Sequence, residues 1–153
     1  MGRDTVDRYA DVLEKAFVVF RQRGYARNQR KEVTKMDKIF FHDVGVRNMV
    51  IGNLAEPAHR DDMGHLWENF LVAERRKILA YQESLAGSWF WRLRTGAELD
   101  YVEEEDGHLR GYEFKHNTKS PRAPAAWEKT YPGSSYAVVN RGTWLEFVLG
   151  RAT

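Results

Sequence analysis

Glu98, Asp100, Glu113 and Lys115 are the residues whose types and spacing could do chemistry, and they flank Glu105-Asp106-Gly107-His108. Asp-Gly between two alternating segments predicts a two-residue type I′ hairpin turn. With that turn in place Glu105 faces His108, and the register follows by counting. Asp100 then lies opposite Glu113, Glu98 opposite Lys115 and Val102 opposite Gly111. On the other face Leu99 meets Phe114, Tyr101 meets Tyr112 and Glu103 meets Arg110, which is favourable cross-strand chemistry. Opposed side chains have Cβ atoms roughly 4.5–5.5 Å apart, and like charges there are destabilising. Two carboxylates are tolerated so close if one is protonated, if both are solvated or if a cation lies between them. Oxygen-only donors suit Mg²⁺ or Mn²⁺. Lys115, two residues beyond Glu113, points to the same side. A metal held by two carboxylates with an ammonium beside it is equipment for hydrolysing a phosphodiester. The bland alternative is the solvated polar face of an ordinary hairpin.

The elements that must position these residues can be read in order. Asp4 or Thr5 caps a helix expected to run to about Arg23, with Gly24 ending it. Val6, Tyr9, Leu13, Phe17 and Phe20 make its apolar face. Arg21 to Lys38 is rich in positive charge, including Arg27, Arg30 and Lys31, and reads as a basic hairpin turning at Asn28-Gln29. It leads into a strand from Lys38 to His42. Such a run contacts phosphate or is a solvated charged loop. Asp43 caps a short helix that Gly52 ends. The adjacent His42 has no companion metal ligand at a supporting spacing. Residues 53–62 are polar and read as a linker. A long helix follows from Gly64 to Leu85, with Trp67, Leu71, Ile78 and Tyr81 in its stripe and Glu74 unexpectedly among them. Ser88 to Arg94 alternates as a strand, with Trp89, Trp91 and Leu93 on one face and Phe90, Arg92 and Arg94 on the other. Arg92 and Arg94 are candidate phosphate contacts. After the hairpin, Ser120-Pro121 starts a helix that Pro132-Gly133 stops. Ser135–Val139 and residues 143–148 read as strands. From Gly64 the order is helix, three strands, helix, strand, an α/β arrangement around a mixed sheet.

The chain has 153 residues with 42% hydrophobic and 30% charged, enough for a real core and against global disorder. The net charge of +2 does not announce a nucleic-acid partner, so that argument is local. The absence of cysteine excludes disulfides and thiolate metal sites. No apolar run approaches the roughly 20 residues of a membrane span. The first residues are polar, so no secretory leader is expected, and the expected location is cytoplasmic.

Asp100 with Glu113-Phe114-Lys115 resembles the motif of the PD-(D/E)xK nuclease superfamily, with Leu99 where the superfamily has proline. Longer phrases are similar to the DUF4143 domain, the C-terminal region of prokaryotic AAA-type ATPases. They are Thr5-Val6-Asp7-Arg8-Tyr9, Leu13-Glu14-Lys15-Ala16-Phe17, Lys38-Ile39-Phe40-Phe41-His42-Asp43-Val44-Gly45, Leu66-Trp67-Glu68-Asn69-Phe70, Phe90-Trp91-Arg92 and Gly96-Ala97-Glu98-Leu99-Asp100-Tyr101-Val102. The resemblance implies a partial winged helix over 1–52, a linker over 53–62 and a restriction-endonuclease-like core (αβββαβ) over 63–153. It implies that Glu68 is the first-helix carboxylate, and that Glu74 matches a recurrent family glutamate. Asp100, Glu113, Glu68 and the Phe114 carbonyl would then bind Mg²⁺ or Mn²⁺, and Lys115 would orient the nucleophile. Arg92, Arg94, Arg27, Arg30 and Lys31 would hold DNA. The activity implied is metal-dependent hydrolysis of DNA, the alternative being an idle nuclease-like module that binds DNA or a protein. Half a winged helix suits pairing into a homodimer. No G-x-x-x-x-G-K-[ST] loop is present, so ATP is not expected to bind. The chain is expected to be a fragment, truncated product or stand-alone derivative of the longer ATPases.

Overall fold

The computed structural model describes residues 2–27 and 37–150. The expected hairpin turn at Asn28-Gln29, with Arg30 and Lys31, lies outside them.

The first helix, α1 (Arg3–Lys15), is shorter than its apolar spacing predicts. Phe17 takes a left-handed φ of 57°, Phe17 N–H donates to Glu14 and Val18 N–H to Leu13. That pair of bonds is a Schellman closure with phenylalanine in the place glycine usually fills. The β-branched Val18-Val19 then favours extended chain, and residues expected to be helical form β1 (Val19–Gln22). It pairs antiparallel with β2 (Lys38–Phe41), Val19 against Phe41 and Gln22 against Lys38. Asp43 caps α2 (Val44–Val50) as expected, its carboxylate accepting from Val46 N–H at 2.9 Å. The expected linker holds a single 3₁₀ turn, Pro57–His59. It is pinned rather than loose. Arg60 donates to both Asp62 oxygens, to the Asn53 carbonyl and to Asn48, while Arg47 also donates to Asp62.

The long helix α3 (Met63–Tyr81) buries Asn69, Leu71, Val72, Ala73, Arg75 and Leu79. Of the expected stripe, Leu71 is buried and Trp67 and Ile78 pack against the same core, and the buried face is wider than expected. Tyr81 is exposed, and Glu74 pairs with Lys77 near the surface. A four-stranded sheet follows, in the order β3 (Gly87–Arg92), β4 (Glu98–Glu105), β5 (His108–Phe114) and β6 (Ser135–Val139). The first two pairings are antiparallel and the last is parallel. Before β6 comes α4 (Ala125–Thr130), four residues later than Ser120-Pro121 suggested, because Pro124 is the last extended residue. The final apolar run is a helix, α5 (Trp144–Val148), not the expected strand. The turn at Asn140 redirects it, since Gly142 N–H donates to the Asn140 side chain and Asn140 N–H to Thr143 Oγ1.

One face of the sheet packs Tyr101, Tyr112 and Phe114 against α3, α5 and the hairpin residues Phe20 and Phe40. The other packs Trp91, Leu99, Val102 and Leu109 against Tyr25, Trp127 of α4 and Tyr131 just after it. The result is a mixed α/β domain. Among the described residues no helix is long and apolar enough to cross a membrane.

Candidate functional site

Asp106 and Gly107 both have positive φ, 50° and 77°, the geometry that a type I′ turn requires. The β4–β5 ladder runs in the expected register from Glu105↔His108 to Tyr101↔Tyr112. Beyond it the expectation needs correction. Between Trp89↔Val102 and Trp91↔Leu99, strand β4 advances three residues while β3 advances two. Asp100 and Tyr101 thus oppose Phe90 alone, which is a β-bulge. The bulge reverses the facing of everything before it. Leu99 joins Trp91 and Trp127, away from its expected partner Phe114, which packs with Tyr101. Asp100 does not pair through its backbone with Glu113. Its Oδ2 instead accepts the Phe114 backbone N–H at 2.7 Å. Bulges re-aim a side chain where a regular strand would not, and here the side chain is the acid.

Two further carboxylates act on Asp100 at this point. Burial pushes the Asp100 carboxyl up from 3.8 to about 7, and Glu68 and then Glu113 add to the shift. The Phe114 N–H and the Lys38 ammonium oppose it. Glu68 arrives with α3, directly before the buried Asn69. Glu113 shares the opposite face, that of Gly111, by strand alternation. Each of these two acids has an ammonium at hand: Lys38 Nζ donates to Glu68 Oε1 at 2.7 Å, and Lys115 Nζ to Glu113 Oε1 at 2.6 Å. Lys38 Nζ also lies 3.9 Å from Asp100 Oδ1. The Lys115 ammonium is pushed up, chiefly by its bond to Glu113. Among the described residues no three acidic or histidine side chains gather closely enough to form a ready-made metal cluster. The donor set nevertheless suits a hard divalent ion in kind, being carboxylate oxygens beside a main-chain carbonyl at Phe114. The charge that such an ion would neutralise is the one burial makes costly at Asp100.

Of the two glutamates on α3, Glu68 is the one whose charge acts on Asp100, with Lys38 bonded to it and 3.9 Å from Asp100, whereas Glu74 is engaged with Lys77. Of the expected phosphate contacts, Arg92 pairs with Glu98 at 3.4 Å and remains half exposed, and Arg94 is exposed. Arg27 stacks over Tyr131 and borders a cleft with Gly107, His108 and Gly133. That is the turn end of β5, five residues, or roughly 17 Å, from Glu113. Two residues near the acids escaped the sequence reading. Lys38 stood there only as part of a basic run. Tyr136 stood only as part of an apolar strand, yet its phenol is pushed up to about 12, by burial first and then by Glu113 and Asp100. His42, which has no companion ligand at a supporting spacing in the sequence, packs against Phe20 with the rings tilted at 55°.

Fold and site together define a mixed α/β domain with a bulged hairpin that gathers acids at its end. Residues 63–147 match the domain of unknown function DUF4143, and the chain belongs to that family. Residues 1–56 match a second family, the domain of unknown function DUF8612, so the N-terminal phrases fall to a different family than the sequence alone suggested. No curated protein and no solved structure matches the chain.

Proposed function

We propose that this protein is a metal-dependent nuclease of the PD-(D/E)xK type, acting on DNA phosphodiesters. The observation that supports the reading is a largely buried Asp100 that shares Lys38 with Glu68, at 3.9 and 2.7 Å, beside a Glu113 bonded to Lys115. The order helix, three strands, helix, strand from Met63 onward also supports a restriction-endonuclease-like core. Helix α1 followed by the β1–β2 hairpin is compatible with half of a winged helix, and two such halves could pair in a homodimer. Asp100, Glu113, Glu68 and the Phe114 carbonyl would hold Mg²⁺ or Mn²⁺. The ion, when bound, supplies a water of lowered pKa and neutralises charge on the phosphate. Asp100 would give up its proton on binding the ion. Lys115 would hold the attacking water or face the developing negative charge. Arg92 and Arg94, at the same end of β3, would steady the phosphate backbone, with Arg27 further along the strand of DNA; Arg30 and Lys31 are proposed to add to the phosphate contacts.

A second reading has its own support: both glutamates already carry an ammonium partner. On that reading the module is catalytically idle and binds DNA or a protein.

Incubation of single-stranded, duplex and branched DNA with Mg²⁺ or Mn²⁺ tests the proposal. Cleavage should depend on the metal and fall about a hundredfold or more in Asp100→Ala. Equal cleavage by both proteins would sink it. Unchanged melting with metals in both wild type and Asp100→Asn, together with normal DNA binding, would favour the idle module.

A further inference from the structure

Lys38 is not a wandering surface lysine. Its side chain is 26% exposed, and its ammonium lies 5.3 Å from the centre of the Phe90 ring. Phe90 is the residue that faces the bulge. Three residues along β2, the Asn69 side-chain amide accepts from Phe41 N–H at 2.9 Å and donates to Phe41 C=O at 2.8 Å. Asn69 is buried and follows Glu68 directly on α3. This two-way clamp serves as a substitute strand edge and fixes β2 against the helix. The same register that joins Phe41 to Asn69 brings Lys38 to Glu68.

We propose that Lys38 is a tethered cation that holds the space between Glu68 and Asp100 and competes with a divalent ion for those carboxylates. The inference rests on the metal reading of the site and adds a determinant of its occupancy. An ammonium bonded to Glu68 occupies oxygen lone pairs that a metal would need. It also repels any second cation at that range. Lys38 belongs to the segment 1–56 and the acids to 63–147, so one family's hairpin controls the other family's site.

The test is the affinity for Mn²⁺ of the whole chain, read from the electron paramagnetic resonance signal of unbound Mn²⁺ and from melting temperature against Mn²⁺ concentration. Three proteins are compared: wild type, Lys38→Met and Lys38→Arg. Methionine keeps a flexible stem against Phe90 and removes the charge, whereas arginine keeps the charge. Lys38→Met should bind Mn²⁺ about tenfold more tightly or better, and Lys38→Arg should bind as the wild type does. Circular dichroism without metal checks folding, and Lys38→Gln replaces the methionine variant should that one fail to fold. Equal or weaker binding by the neutral variant would overturn the competition and leave the metal reading standing. No binding by any of the three would overturn both.

Discussion

Asp100 carries the largest electrostatic burden at the site. Its folded value of about 7 exceeds the ordinary 3.8. A carboxyl raised in this way costs nothing below about pH 4, where it is protonated folded or unfolded. The cost grows between pH 4 and 7 and is complete above 7. Asp100→Asn removes the ionisation and keeps an acceptor for Phe114 N–H. Its stability advantage over wild type should therefore widen from pH 4 to 8, reaching up to about 4 kcal/mol. Urea denaturation of both proteins across that range checks this, and a pH-independent difference would contradict it. The turn and a count of residues place β5 with Glu113 and Lys115, but they set Asp100 opposite Glu113, which the bulge overturns. Lys38 was not legible, because nothing in a basic run says which lysine a distant helix will recruit. Tyr136 was not, because an apolar strand gives no sign of which residue will feel the acids.

Among the elements, β4 and β5 show where local pattern is enough and where it fails. Asp106-Gly107 fixes the turn and five ladder pairs. The bulge was illegible, since the extra residue is forced by pairing with β3 and not by β4 itself. Gly111 marks the tight side of that arrangement. A Cβ there would come within 2.5 Å of Leu99 Cδ1 and 3.0 Å of the Trp127 ring. Gly111→Ala should lower stability by about 1–3 kcal/mol, measured by thermal or urea unfolding. A neutral result would mean that Leu99 and Trp127 move aside easily. Helix ends were misread for a related reason. Phe17 closes α1 in a conformation that phenylalanine seldom adopts, and α5 turns helical because Asn140 and Thr143 organise the preceding loop.

At the scale of the molecule, a buried ion pair ties the sheet to the two helices packed on one of its faces. Arg75 donates to both oxygens of Glu103, at 2.9 and 2.6 Å, and to the Phe147 carbonyl at 3.0 Å. It thereby joins α3, β4 and α5. Sequence counting paired Glu103 with Arg110 alone, which lies 3.9 Å away as a secondary partner. Arg75→Met should cost about 3–5 kcal/mol because it strands a buried carboxylate. Adding Glu103→Leu should restore much of that loss. A double-mutant cycle in urea measures the coupling, and simple additivity of the two changes would show that the pair is not coupled. The α/β class and the order of the core elements could be read from periodicity. The pairing of helix to strand could not, because charged residues buried in pairs look on paper like surface residues.

The bulge at Asp100 and Tyr101 also makes the chain sensitive to length at one place. Loss of Asp100 would let β4 run in even alternation against β3, with Leu99 and Val102 on one face and Tyr101 on the other. Hydrophobic patterning would survive that deletion, but the acid would go with it. Loss of Tyr101 would instead bring Asp100 to the place of a fully buried ring. Tolerance to substitution and tolerance to deletion therefore part company here: the strand can absorb many replacements, but its residue count is what places the acid.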